Sequence, residues 1–227
     1  MAIQIQGNGG VVADVDGTTF RALRVTARPL EYGALGYYRL AMQTGTMAVS
    51  LAANSEIFQF RYTPANFAVV HDVALSCGPN AAAALAVLAA FRVTAARAWS
   101  VAGSGGTRAT LTGNNAKLRT SMASSGVNDA GISSTAALTA GTKTLDTQDL
   151  GSYALGIGTG AITVDTRLVW SERIKLFDCD AAVAHPLVCT STGGGEGFVV
   201  RVGANAFPAG ATWIGAVDVA WAEVTTF

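Results

Sequence analysis

Ile57-Phe58-Gln59-Phe60-Arg61-Tyr62 sets Phe58, Phe60 and Tyr62 on one side of an extended chain and Ile57, Gln59 and Arg61 on the other. Side chains alternate across a strand with a period of two, so three large aromatics opposite polar groups specify a β-strand that covers a core. The end of the chain repeats the pattern over a longer run. In 212–224, Trp213, Gly215, Val217, Val219 and Trp221 share one face, and Ile214, Ala216, Asp218, Ala220 and Ala222 share the other. Working outward, residues 37–42 (YYRLAM), 47–52, 67–77, 161–169, 173–177, 186–190 and 198–202 (FVVRV) read as further strands. Turn residues such as Thr44-Gly45, Pro64 and Gly193-Gly194-Gly195 separate them. Near the start, Ile3 and Ile5 oppose Gln4 and Gln6, a turn follows at 7–10, and 18–28 carries Phe20, Leu23 and Val25 up to Pro29. Many short strands between Gly, Pro and Asn turns indicate an all-β fold, a jelly-roll-like β-sandwich, in a single domain over residues 1–227.

Two stretches depart from this rhythm. Residues 81–100 begin with an alanine run that favours helix, and Asn80 could cap it, but Phe91, Val93, Ala95, Arg97 and Trp99 then alternate with Arg92, Thr94, Ala96 and Ala98. The reading is a helical turn or loop near 80–86 and a strand from about 87 to 100. Residues 101–152 contain no Phe, Tyr or Trp and are rich in Gly, Ser, Thr and Ala, with short β-like pieces at 109–112, 131–133 and 142–145 and one helical turn over 114–122. This small-residue excursion reads as an insertion or extended arm, and so long a segment inside a compact domain is usually functional.

Composition narrows the classes of function. Half of the 227 residues are hydrophobic and 13 % are charged, against about 25 % charged in ordinary globular domains. A chain so poor in surface charge is expected to hide surface in an oligomer. Twelve arginines against three lysines (Lys117, Lys143, Lys175) point the same way, because arginine is enriched and lysine depleted at protein interfaces. Formal net charge is zero and no basic cluster stands out, so direct nucleic-acid binding is not expected. No stretch approaches the roughly 20 apolar residues of a membrane helix, and the opening MAIQIQGNGG lacks the basic-then-apolar pattern of a secretory signal. Cys77, Cys179 and Cys189 match no zinc or redox spacing. A Cys179–Cys189 bridge across a hairpin is geometrically possible, and buried free thiols are the expectation.

A search for chemistry returns no motif. His71-Asp72 are strand neighbours that point to opposite faces, a poor geometry for a dyad. Asp178, Cys179, Asp180 and His185 match no standard metal spacing. Asp14-Val15-Asp16-Gly17 opens like a calcium loop, but Val25 stands where the bidentate acid belongs. The runs Gly103-Ser104-Gly105-Gly106 and Gly193–195 lack the Lys-Ser/Thr of a phosphate loop. There is no GxSxG and no HExxH. No enzymatic activity, metal or cofactor is expected.

Three parts of the chain carry a resemblance. Residues 3–45 (IQIQGNGGVVADVDGTTFRALRVTARPLEYGALGYYRLAMQTG), 111–122 (LTGNNAKLRTSM) with 134–146 (STAALTAGTKTLD), and the closing pattern EGFVV…W…V…WAE over 196–223 are similar to a recurring protein of tailed bacteriophages, across nearly the whole chain. Members of that family are described as hypothetical or virion structural proteins and offer no catalytic residues to carry over. The resemblance implies a structural protein of the virion, assembled in the host cytoplasm. By analogy with small β-sandwich proteins of phage particles, it implies a capsid decoration (cement) protein, a homotrimer that bridges major-capsid subunits. The alternative is a tail- or fibre-associated binding module whose partners are tail proteins or a host surface receptor. Segments 2–10 and 107–150 are expected to reach neighbours. The interface candidates are Ile3, Gln4, Ile5 and Gln6, whose polar side chains suit edge hydrogen bonds, Tyr32, Tyr37 and Tyr38 in a turn-rich stretch, and Asn114, Asn115 and Arg119 in the excursion. For the other aromatics, Phe58, Phe60, Trp170, Trp213 and Trp221, the core is the default.

Overall fold

Alternating apolar residues decide which face each strand buries, and the hydrogen-bond ladders decide its neighbours. The computed structural model describes residues 35–47, 50–79, 87–157, 174–179, 186–206 and 212–225. In chain order the strands are β1 (Gly36–Gln43), β2 (Glu56–Tyr62), β3 (Phe67–Pro79), β4 (Val87–Val101), β5 (Thr107–Arg108), β6 (Val127–Ile132), β7 (Thr142–Ile157), β8 (Ile174–Asp178), β9 (Leu187–Cys189), β10 (Glu196–Val202) and β11 (Trp213–Val224). All their pairings are antiparallel. A five-stranded sheet runs β1-β11-β3-β8, with β9 also on β3, and a six-stranded sheet runs β5-β6-β2-β10-β4-β7. Among the described residues, helical geometry is confined to one 3-10 turn, Thr192–Gly194. In chain order, successive described strands change sheet from β1 to β2, β2 to β3, β3 to β4, β7 to β8, β9 to β10 and β10 to β11. These crossings give the all-β sandwich its jelly-roll-like course.

Aromatic rings fill the space between the sheets. Trp221 of β11 stacks on Tyr38 of β1 within its own sheet (centroids 5.4 Å apart) and meets Phe60 of β2 edge-on across the gap (5.2 Å). Phe60 stacks on Phe198 of β10 (5.1 Å), and Phe91 of β4 reaches Trp213 of β11 (5.6 Å) in a second cross-sheet contact. All six rings are fully buried. Burying one such side chain contributes about 1.5–3 kcal/mol by area, and a well-placed aromatic pair adds about 0.5–1.5 kcal/mol.

Strict alternation fails at three places, each for a local reason. In β3 the core face is carried by Ala68 and Val70 and then by Val73, Leu75 and Cys77. The parity changes because β11 steps from Asp72 to Val70 between Ala220 and Trp221, which leaves His71 as the extra residue of a bulge. In β2, Arg201 pairs with Glu56 immediately after Val200 pairs with Phe58, so Ile57 is passed over and joins the core beside Phe58. In β4, Ala98 has φ 48, and Trp99 packs with Ala96 and Val199 on the outer face of the six-stranded sheet instead of following Phe91, Val93 and Ala95 inward.

Other expectations need correction. Among the described residues of 47–52, only Met47 forms a bridge, to Trp213; Ser50 has φ 58 and residues 50–52 are not strand. The β-like piece expected at 109–112 is not strand; the short strand there, β5, ends before it at Arg108. Residues 101–152 supply the end of β4, all of β5 and β6 and most of β7, so the six-stranded sheet is built through them. The expected strands at 3–6, 18–28 and 161–169 and the turn at 80–86 lie outside the described residues, as does Trp170. All three cysteines are free thiols.

Trp221→Ala removes the ring that touches both sheets. It is expected to lower the unfolding free energy by about 3–5 kcal/mol, read as a lower urea midpoint at unchanged slope. A loss below about 1 kcal/mol would contradict the cross-sheet role of this ring.

Candidate interface site

β1 is the outer strand of the five-stranded sheet, and an open edge of unpaired N–H and C=O groups invites unwanted pairing. Residues 113–123 run along this edge. The Arg39 N–H donates to the Ala116 carbonyl (2.9 Å), the Leu118 N–H to the Tyr37 carbonyl (3.4 Å) and the Ala123 N–H to the Leu35 carbonyl (3.4 Å). Tyr38 and Lys117 form an antiparallel bridge, and the Tyr38 hydroxyl donates to the Ala123 carbonyl (3.0 Å). The helical turn expected over 114–122 does not form. Ala116 at φ 64 interrupts it, and separate turns close from Asn115 to Thr112, Lys117 to Asn114 and Met122 to Arg119.

A buried carboxylate anchors the return of this loop. Glu223 of β11 accepts hydrogen bonds from the Ser125 hydroxyl (2.6 Å), the Gly126 N–H (2.9 and 3.0 Å) and the Trp221 indole N–H (3.1 Å). Burial, and then the Glu223 charge, push the Tyr38 hydroxyl up to about 12, so it stays a neutral donor.

The outer surface that results combines apolar and polar groups. Leu118 is 57 % exposed and Leu35 37 %, among exposed Arg39, Asn114, Asn115 and Arg119. The structure thus brings sequence candidates from two distant stretches into one place. Asn114, Asn115 and Arg119 lie on the surface. Tyr37 is half-buried against a second apolar cluster formed by Val69, Ala222 and Val224. Tyr38 is corrected from interface to core, since the alternation of β1 turns it inward onto Trp221. Ile3, Gln4, Ile5, Gln6 and Tyr32 lie outside the described residues.

The arginines serve the chain itself more than the composition suggests. On the six-stranded sheet, Asp149 of β7 accepts from Arg92, Arg201 and Thr94 at 3.0, 3.0 and 2.5 Å. Burial alone would raise the Asp149 carboxyl, but these hydrogen bonds and positive charges together hold it below its ordinary value. Arg97 pairs with Glu196 and Asp146, Arg108 pairs with Asp129, and Arg61 caps the carbonyls of Trp99, Ser100 and Gly194.

Two further clusters escaped the sequence reading. The bulge at His71 sets its Nδ1 3.3 Å from Cys179 Sγ, with Tyr37 edge-on to the imidazole. Lys143, Glu56 and Gln59 meet out of water beside Trp99. The scarcity of lysine was the available signal for Lys143, but partners so far back in the chain have no local motif. No group of three or more His, Cys, Asp or Glu that could hold a metal occurs among the described residues. No family model, curated protein or solved structure matches the chain.

Glu223→Ala leaves several buried donors without an acceptor and is expected to cost about 1–3 kcal/mol. Amide exchange over 113–126 should quicken more than exchange in β10, and unchanged protection there would contradict the anchoring role. Burial raises the thiols of Cys77 and Cys189 to about 12, with the Glu196 charge adding to the rise at Cys189. Iodoacetamide at mildly alkaline pH is therefore expected to label half-buried Cys179 before either of them. The unfolded thiols ionise near about 8.5, so stability should be full below that pH and fall as pH rises from there toward 12.

Proposed function

We propose that this chain is a structural protein of a tailed-phage virion, a decoration (cement) protein that binds the outside of the capsid and bridges neighbouring major-capsid subunits. The observation that carries the reading is the surface on the β1 edge. There the loop of residues 113–123 is tied by backbone hydrogen bonds to a sheet and presents Leu118 with Asn114, Asn115 and Arg119. An apolar side chain ringed by polar and arginine groups on a rigid support suits protein contact, where a few anchored residues carry most of the binding energy. The resemblance of residues 3–45, 111–122 with 134–146, and 196–223 to a phage structural protein supplies the setting. In a homotrimer the surface is repeated, and many modest contacts sum to strong attachment.

The paired change Leu118→Asp with Arg119→Glu alters exposed side chains only, so the unfolding midpoint should hold. Binding to capsids stripped of this protein is expected to weaken by about tenfold or more, which corresponds to about 1.4 kcal/mol. Unchanged binding would remove the surface from the proposal. Immunogold label at the tail, with none over the head, would overturn the decoration reading in favour of a tail-associated binding module.

A further inference from the structure

Lys143, Glu56 and Gln59 are three polar side chains with almost no access to water. The Lys143 side chain is 2 % exposed and that of Glu56 6 %, and Gln59 is fully buried. One oxygen serves both neighbours. Glu56 Oε2 accepts from Lys143 Nζ at 2.8 Å and from Gln59 Nε2 at 2.6 Å. The second Nε2 hydrogen goes to the Thr139 carbonyl (2.7 Å), while the amide oxygen of Gln59 has no hydrogen-bond partner. Lys143 Nζ stands 4.4 Å from the centre of the Trp99 ring and donates to the Ala140 carbonyl. The backbone of Gly103 closes over the amide so tightly that a Cβ there would lie 2.5 Å from Gln59 Oε1 and 2.0 Å from the Thr139 oxygen.

A buried ion pair is weak as a device for stability, because desolvation of two charges offsets most of their attraction. As an arrangement for chemistry it is more specific. A primary amine and a primary carboxamide converge on a single carboxylate oxygen, which touches both the nitrogen that would attack and the nitrogen that would leave. We propose that Lys143 and Gln59 form an intramolecular isopeptide bond, with Glu56 as the proton carrier. This inference does not depend on the virion assignment.

The step balances without a co-reactant. Starting from the ammonium and carboxylate, Glu56 takes a proton from Nζ. The neutral amine attacks Cδ of Gln59 and the Nζ–Cδ bond forms. Glu56 gives its proton to Nε2, which leaves as ammonia when the Cδ–Nε2 bond breaks. Glu56 then takes the second proton from Nζ and passes it to the ammonia, which departs as an ammonium ion. Glu56 ends as the carboxylate it began as, and nothing is oxidised or reduced. Burial lowers the Lys143 amine below its ordinary value, an effect partly offset by Glu56, and this favours the neutral nucleophile. Holding amine and amide together replaces a bimolecular encounter, for which effective concentrations of about 10⁵ M or more are known. The bond would tie β2 to the start of β7, strands separated in their sheet by β10 and β4.

Mass spectrometry of the full-length purified protein and its tryptic digest tests this directly. The expected result is an intact mass one ammonia below that of the sequence and a single linked species joining the Gln59 peptide to the Lys143 peptide, with no cleavage after Lys143. Recovery of unlinked Gln59 and Lys143 peptides from folded protein would overturn the proposal, and that outcome depends on no variant. In Glu56→Gln, kept only if its circular dichroism matches the parent, linkage is expected to slow roughly 100-fold or more. Linkage at the parental rate in that variant would overturn the role of Glu56.

Discussion

The edge-on contact between Trp221 and Phe60 is the point on which the two sheets turn. Trp221 lies on β11, inside the five-stranded sheet, and Phe60 on β2, inside the six-stranded one. Tyr38 extends the stack on one side and Phe198 on the other, so rings from β1, β11, β2 and β10 form one continuous column. Each of these strands is far in sequence from most of its neighbours, and loop closure has to precede the contacts that reward it. A slow, cooperative folding reaction is the physical consequence of such non-local pairing.

The column also fixes what lies outside it. The stack holds Tyr38 inward, and this sets the register of β1 and directs its hydroxyl to the Ala123 carbonyl. Trp221 supplies its indole N–H to Glu223, and Glu223 in turn holds Ser125 and Gly126. Core and surface loop are therefore linked through two residues of β11, and the loop rests on a support that side-chain packing has already made rigid.

Much of this fold was legible in the sequence, and the failures have physical causes. Phe58, Phe60 and Tyr62, and likewise Trp213, Val217, Val219 and Trp221, announced their inward faces because large apolar groups at a period of two admit one burial pattern. The bulges at His71 and Ile57 could not be read, since a change of parity is defined by a partner strand's register. Trp99 went to the other face because a positive φ at Ala98 is a backbone state that alanine rarely announces. β7 was seen only at its first residues. It is an edge strand that buries little, with Leu150 and Tyr153 among its exposed side chains, so its alternation carries little contrast between a core face and an outer face. Of the interface candidates, Asn114, Asn115 and Arg119 were legible as polar groups in a turn-rich stretch, but that they meet β1 was not. Lys143 and Glu56 come together only through the fold, across a separation in the chain that no local pattern spans.

A two-dimensional NOE spectrum of the folded protein tests the aromatic column and the docked loop together. Cross-peaks from the Trp221 indole to the rings of both Phe60 and Tyr38, and an Hα–Hα cross-peak between Tyr38 and Lys117, are the predicted result. A well-dispersed spectrum in which Trp221 contacts Tyr38 but not Phe60, or in which Tyr38 and Lys117 show no contact, would contradict the coupling of the sheets to the surface they carry.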